Sequence, residues 1–138
     1  MDNVYVTSNK SVIDFERLHQ FLSKKAYWAL GRTMEQVKKT VEFSESFSIF
    51  KNDVQIGFAR VTTDYVALAY LADVFIVENE RGNGYSKQLL DFIFEYPVLK
   101  PVQTWRLMST DARGLYTSYG FTPLASPEKM MERKIYQK

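Results

Sequence analysis

Asp73-Val-Phe-Ile-Val-Glu-Asn-Glu-Arg-Gly-Asn-Gly-Tyr-Ser-Lys-Gln-Leu-Leu90 is the stretch whose reading decides the fold. Its first five residues close the apolar run Val66–Val77, which is interrupted by Asp73. A run apolar on both faces suits a central strand covered on both sides. Gly82 and Gly84 break that strand, and Leu89, Leu90, Ile93 and Phe94 mark a helix that ends before Pro97. In a strand–glycine loop–helix arrangement the backbone can approach a ligand closely, and the first helical N–H groups point outward. Those donors and the helix dipole favour an anion such as a pyrophosphate. Arg81 and Lys87 flank the loop with positive charge. An ordinary glycine turn with solvated basic neighbours fits the loop equally well when it is taken alone.

Two named phosphate loops do not fit. A Walker loop needs Gly-x-x-x-x-Gly-Lys-Ser/Thr, and that spacing is missing. A dinucleotide fingerprint needs a third glycine where Lys87 stands, and it belongs early in a βαβ unit. Here the loop follows an antiparallel pattern instead. Phe47 and Ile49, the turn pair Asn52-Asp53, then Val54, Ile56 and Phe58 read as a hairpin with a two-residue turn. A second turn at Thr63-Asp64 leads into Val66–Val77.

Further upstream, Val4–Thr7 reads as a short strand. Val12, Phe15, Leu18 and Leu22 share a helical face behind a possible capping box, Ser11-Val-Ile-Asp14, with His19 beside the stripe as a structural residue. Thr33-Met-Glu-Gln36 is a better capping box and opens a helix with Met34, Val37 and Val41 inward. Downstream, Val102–Met108 alternates as a strand, Asp111–Tyr119 reads as a short helix stopped by Gly120, and Met130–Tyr136 is expected to pair with an extended region from Phe121. The predicted class is α+β, one domain over residues 1–138 around a single mixed, mostly antiparallel sheet.

Composition narrows the functions. The 138 residues are 46% hydrophobic and 15% aromatic, enough for one core. A net charge of +2 argues against a nucleic-acid binder built on a basic face. With no cysteine and one histidine, Cys-ligated zinc, thiol nucleophiles and a His-rich metal site are excluded, and no metal is expected. No apolar run approaches a transmembrane helix, and the N-terminus does not read as a signal peptide, so no membrane role and a cytoplasmic location are expected.

Arg81-Gly-Asn-Gly-Tyr-Ser86 resembles the Arg/Gln-x-x-Gly-x-Gly/Ala signature of the GCN5-related N-acetyltransferases, with Ser86 in the usual Gly or Ala place. Asp73-Val-Phe-Ile-Val77 is similar to the strand that precedes it in that family. Thr110-Asp-Ala-Arg-Gly-Leu-Tyr-Thr-Ser-Tyr-Gly-Phe121 resembles the family's late helix, which carries a tyrosine and ends in Gly-Phe. The match in order and spacing runs from about Phe47 to Phe121. The resemblance implies the acyl-CoA N-acyltransferase fold, with helices on both faces of the sheet, and acetyl-CoA as co-substrate. It implies that Arg81, Gly82, Asn83, Gly84, Tyr85, Ser86 and Lys87 hold the pyrophosphate. The backbone of Phe75, Ile76 and Val77 would hold the pantetheine arm, and Tyr116 would protonate the departing thiolate. Asp111 stands where many relatives have an asparagine that contacts the cofactor; an aspartate cannot donate in the same way.

The chemistry agrees with that reading. Acetyl transfer to an amine needs a neutral nucleophile, a donor for the carbonyl oxygen and an acid for the thiolate. Without cysteine there is no cysteinyl-acyl intermediate, and direct attack is the simplest route. Tyr116 has a proton to give, a phenol of reference pKa about 10 against about 8.5 for a thiol; taken without the resemblance it reads as a core aromatic. Asp73 is costly to bury alone. It reads either as the base that deprotonates the amine or as the partner of a structural arginine or backbone amide. Trp28 and Arg32 lie in the link Tyr27–Arg32, which the resemblance puts beside the acceptor. Arg32 there reads as a bidentate clamp for a substrate carboxylate or as a solvated charge. The expected function is N-acetylation of a small primary amine, by a monomer or homodimer. The alternatives are a non-catalytic acyl-CoA-binding or regulatory module on the same fold, a protein-amine acetyltransferase, or an unrelated small-ligand or protein-interaction domain.

Overall fold

The structure is a computed structural model and describes residues 1–25 and 31–135. The chain divides into two compact units, Met1–Met108 and Ser109–Lys138. The first unit contains β1 (Val4–Thr7), α1 (Phe15–Gln20), α2 (Met34–Glu42), β2 (Glu45–Lys51), β3 (Val54–Thr63), β4 (Leu68–Ile76), α3 (Tyr85–Phe94) and β5 (Thr104–Arg106). The second contains α4 (Arg113–Thr117).

The sheet runs β1-β2-β3-β4-β5 in chain order. The first four strands pair antiparallel, and β5 joins β4 in parallel after the crossover through α3. The β2–β3 turn is the expected one: Asn52 and Asp53 have φ of 51° and 66°, as a primed two-residue hairpin requires. Thr33 caps α2 in a complete capping box with Gln36. The Ser11 box does not form. A short 3₁₀ turn at Lys10–Val12 is capped by Asn9, and α1 starts later, where the Asp14 side chain accepts from the Arg17 amide at 3.1 Å. Helix α1 runs on into a π-helical turn at Phe21–Lys25.

Helices cover both faces of the sheet. On one face Ile13, Leu18, Phe21, Leu22, Val37 and Val41 close over Phe58 and Phe75. On the other, Ile49, Ile56 and Ile76 pack with Val4, Val6 and Tyr85, and Phe47 meets Phe92 and Tyr96 of the α3 region edge-on at 6.0 and 5.1 Å. Each large side chain so buried contributes roughly 1.5–3 kcal/mol.

Two β-bulges set which side chain faces which layer. In β3, Ile49 pairs with Gly57 but Phe50 pairs with Gln55, so Ile56 is the extra residue. The slip turns Ile56 to the α3 side and Gln55 to the α1 side, where its side chain meets the amide of Asp14. In β4, Phe75 pairs with Phe58 but Ala72 pairs with Arg60, so Asp73 and Val74 both oppose Ala59. Asp73 takes the extra turn with φ of 55°, a left-handed conformation that costs a non-glycine residue about 1–2 kcal/mol.

Gly57 in β3 pairs with Ile76 in β4. A Cβ there would sit 2.6 Å from the Phe75 carbonyl oxygen and 2.7 and 2.8 Å from the side chains of Ile76 and Ile49. Backbone cannot yield as a flexible side chain can. Gly57→Ala is expected to destabilise the chain by about 1–3 kcal/mol, measured by urea unfolding; a loss under half a kilocalorie would mean that the strands separate freely here.

In the second unit, Gly120 at φ 92° ends α4, and the Phe121 amide returns to the Tyr116 carbonyl. Among the described residues no strand forms between Phe121 and Ile135, so the expected pairing of Met130–Tyr136 is not seen there; Tyr136 lies outside the described residues.

Candidate functional site

The end of β4 is held before the loop begins. The Val77 amide donates to the Ile56 carbonyl at 2.8 Å, and Arg81 Nε returns to the Ile76 carbonyl at 2.9 Å. A 3₁₀ turn at Glu78–Glu80 leads to Gly82 and Gly84, and Asn83 Nδ2 closes the loop on the Glu80 carbonyl at 3.1 Å. Gly82 and Gly84 have φ of 83° and 80°. A Cβ on either would meet nothing within 4 Å, so glycine is required by conformation while the space before the loop stays open. Gly84 is the N-cap of the ten-residue α3 and supplies no side-chain acceptor to its first amides. That combination fits a pyrophosphate: positive dipole end, amide donors, and no side chain in front of them.

The flanking charges divide their work. Arg81 is exposed, but its Nε holds the strand end, so it positions the loop as well as charging it. Lys87 Nζ lies 3.8 Å from Asp91 in an exposed i,i+4 pair. Lys51, not singled out in the sequence, reaches the same region. Its ammonium bonds Glu80 at 2.9 Å and lies 6.0 Å from the centre of the Tyr85 ring, and the bond to Glu80 chiefly raises its pKa.

Asp73 has its side chain 1% exposed, and its Oδ2 accepts from Arg60 Nε at 2.5 Å and from Arg32 Nη1 at 2.8 Å. Burial pushes its pKa up, but Arg60 and then Arg32 outweigh burial and the net direction is down. A carboxylate so held is a poor proton acceptor. Of the two readings of Asp73, the geometry matches the arginine partner. It also changes the reading of Arg32, whose guanidinium is turned to Asp73 rather than standing as an open clamp. His19 Nε2 and Ser23 Oγ both meet the Arg32 carbonyl, at 2.9 and 2.6 Å, fixing its backbone as well. Trp28 lies outside the described residues. Arg60 was missed, although a charge amid the apolar residues of β3 asks for an opposite charge nearby, and Asp73 supplies it.

This pair sets a pH dependence. Because the folded pKa of Asp73 is depressed, its stabilisation is present above the ordinary value near 3.8 and is lost as pH falls through the lower folded value. Asp73→Asn is expected to cost roughly 2–3 kcal/mol at neutral pH and to flatten the acid limb of stability below pH ~4. Chemical unfolding at several pH values measures both, and an unchanged acid limb would remove the ion pair from the account.

In the second unit Tyr116 is buried and packs edge-on to Phe121 at 6.0 Å. Burial first and the charge of Asp111 second raise its phenol above the ordinary 10, so it keeps its proton at neutral pH. Asp111 therefore acts on Tyr116 electrostatically.

A cleft enclosing about 460 Å³, part of it open solvent, lies between α1 and the end of β4, lined by Arg17, Gln20, Phe21, Gln55, Phe75 and Val77 among others. It was not foreseen, since its polar members come from segments far apart in sequence. Among the described residues no group of His, Asp or Glu is placed to hold a metal, and no helix is long and apolar enough to cross a membrane.

The family model described as an acetyltransferase (GNAT) domain matches residues 43–123. The solved structure of a protein from Xanthomonas campestris pv. campestris, assigned to the GNAT acetyltransferases, is 38% identical at a TM-score of 0.93 over 96% of this chain and 94% of that one. At 16% identity, N-acetylglutamate synthase from Neisseria gonorrhoeae, complexed with coenzyme A and N-acetyl-glutamate, shares the fold at a TM-score of 0.74 over 91% of this chain and 30% of its own. An acetyltransferase structure from Clostridium acetobutylicum with acetyl-CoA, 14% identical, shares it at 0.69 over 97% and 96%. No curated protein matches the chain.

Proposed function

The chain belongs to the GNAT family of acetyltransferases, and from that premise we propose that it moves an acetyl group from acetyl-CoA directly to the primary amine of a small molecule. The observation that carries the donor half is the glycine loop. Two left-handed glycines open space in front of the amides of a ten-residue helix, and no side chain caps them. Acetyl-CoA supplies the acyl group, activated as a thioester. The neutral amine nitrogen forms the new bond to the acetyl carbon, the carbon–sulfur bond breaks, the sulfur leaves with the electron pair, and the nitrogen gives up one proton to water.

The chain's own residues do the following work in this reading. The amides of Tyr85, Ser86 and Lys87 face the pyrophosphate. The backbone of Phe75–Val77 aligns the pantetheine arm, and Arg81, through the Ile76 carbonyl, keeps that strand end in place. Tyr116 protonates the sulfur, as the family resemblance assigns. Asp73, committed to two arginines, leaves deprotonation of the ammonium to water. The rate then climbs with pH until the amine, of reference pKa near 10, is neutral.

The test is thiol release from acetyl-CoA across a panel of amines, with coenzyme A binding titrated alongside. Release that depends on a small amine supports the proposal. Coenzyme A binding without release on any amine would favour the non-catalytic module, and absence of binding would remove the donor site.

A further inference from the structure

We propose that the cleft between α1 and the end of β4 seats the acceptor, and that Arg17 selects an acceptor carrying a carboxylate. The inference rests on the acetyl-transfer reading and names its substrate class. The cleft adjoins the donor site along the chain, because Phe75 and Val77 line it and Val77 leads through the Glu78–Glu80 turn into the glycine loop.

The arginines divide by what they face. Arg32 and Arg60 both turn to the single carboxylate of Asp73. Arg17 has no carboxylate within ion-pair distance among the described residues. Asp14, the N-cap of α1, turns Oδ1 to the Arg17 backbone amide. Glu16, also on α1, is exposed and forms no ion pair with Arg17. The Arg17 side chain is nonetheless held: its Nε donates to the Gln55 carbonyl oxygen at 2.9 Å.

That anchor is rigid. Gln55 is buried, its Oε1 accepts from the Asp14 amide at 2.8 Å, and its Nε2 donates to Ser48 Oγ at 3.1 Å and to the Gly57 carbonyl at 3.2 Å. A guanidinium fixed at Nε, with its two terminal nitrogens in the plane, matches the two oxygens of a carboxylate. Beside it Phe21 and Phe75 stack with ring centres 3.7 Å apart, an apolar wall for a short methylene spacer. A primary amine joined to a carboxylate by a short apolar chain satisfies both halves. Arg17 takes the role that the sequence offered to Arg32.

A matched set tests it: γ-aminobutyrate, its amide and putrescine, with glycine and glycinamide as a shorter pair. Binding to the full chain is followed by ligand-observed NMR, and turnover by thiol release, for wild type, Arg17→Gln and Arg17→Lys. Wild type should bind and acetylate the carboxylates about tenfold or more better than their amides, the strength of a charge-assisted contact. Arg17→Gln should erase that preference through KM, with kcat and coenzyme A affinity unchanged, and Arg17→Lys should restore part of it. Equal loss on carboxylates and amides, or no preference in wild type, overturns the proposal. Carboxylate binding that depends on Arg17 without release on any amine keeps this site and sinks the transfer reading. Release without a carboxylate preference does the reverse.

Discussion

Gly84→Glu is expected to abolish coenzyme A binding while the chain stays folded. The substitution acts in three ways at one point. It places a carboxylate at the positive end of α3, in the space where a diphosphate would lie, and like charges there repel. It fills a volume that is open within 4 Å of the glycine. It forces a side chain into φ of 80°, at a cost of about 1–2 kcal/mol. Only the last concerns folding, and it is a modest part of the stability of a chain this size. Gly84→Asn separates the contributions, since asparagine tolerates the left-handed region and brings no charge. Calorimetric titration should show no measurable binding for Gly84→Glu and weakened binding for Gly84→Asn. Wild-type affinity in Gly84→Glu would exclude the loop as the pyrophosphate site.

Tyr116→Phe is expected to lower kcat by about 10²-fold, the size of a single acid–base contribution, with coenzyme A affinity nearly unchanged. The ring that packs on Phe121 is retained, so stability should hold. Burial raises the phenol, which has two consequences. The proton is present throughout the neutral range, so wild type should show no loss of rate on the alkaline side before the amine itself is neutral. The proton is also held tightly, so in the proposed role Tyr116 would act by donating a hydrogen bond to the sulfur as charge builds there. Rapid-quench kinetics should be used, because slow product release would mask the chemical step. Wild-type turnover in Tyr116→Phe under those conditions would return Tyr116 to a packing role.

What could be read from sequence follows from the range of the forces involved. The Asn52-Asp53 turn, the Thr33–Gln36 capping box and the glycine loop are local, each decided within a few residues, and each forms as expected. Features that depend on distant partners were only half legible. A carboxylate at position 73 needed a partner, but nothing within its own stretch named Arg60 and Arg32 over a base's role. Gln55 shows why a simple alternating pattern misplaces a side chain, for the bulge at Ile56 turns it from one layer to the other. The cleft at Arg17 needed α1, β3 and β4 in register before it existed. Strand length was overread where pairing is sparse: Val102–Met108 alternates, yet only Thr104–Arg106 finds a neighbour.

The bulge at Asp73 makes this part of the chain sensitive to length more than to spelling. Along a strand, inward and outward positions alternate, and the extra residue opposite Ala59 resets that alternation once. It is the reset that sends Phe75 toward Phe21 and Ile76 toward Ile49. Removing a single residue from Asp73-Val74 would exchange those destinations and draw the glycine loop back by about 3.3 Å, one strand step. Natural variants of this protein should therefore differ at these positions by replacement rather than by gain or loss of a residue.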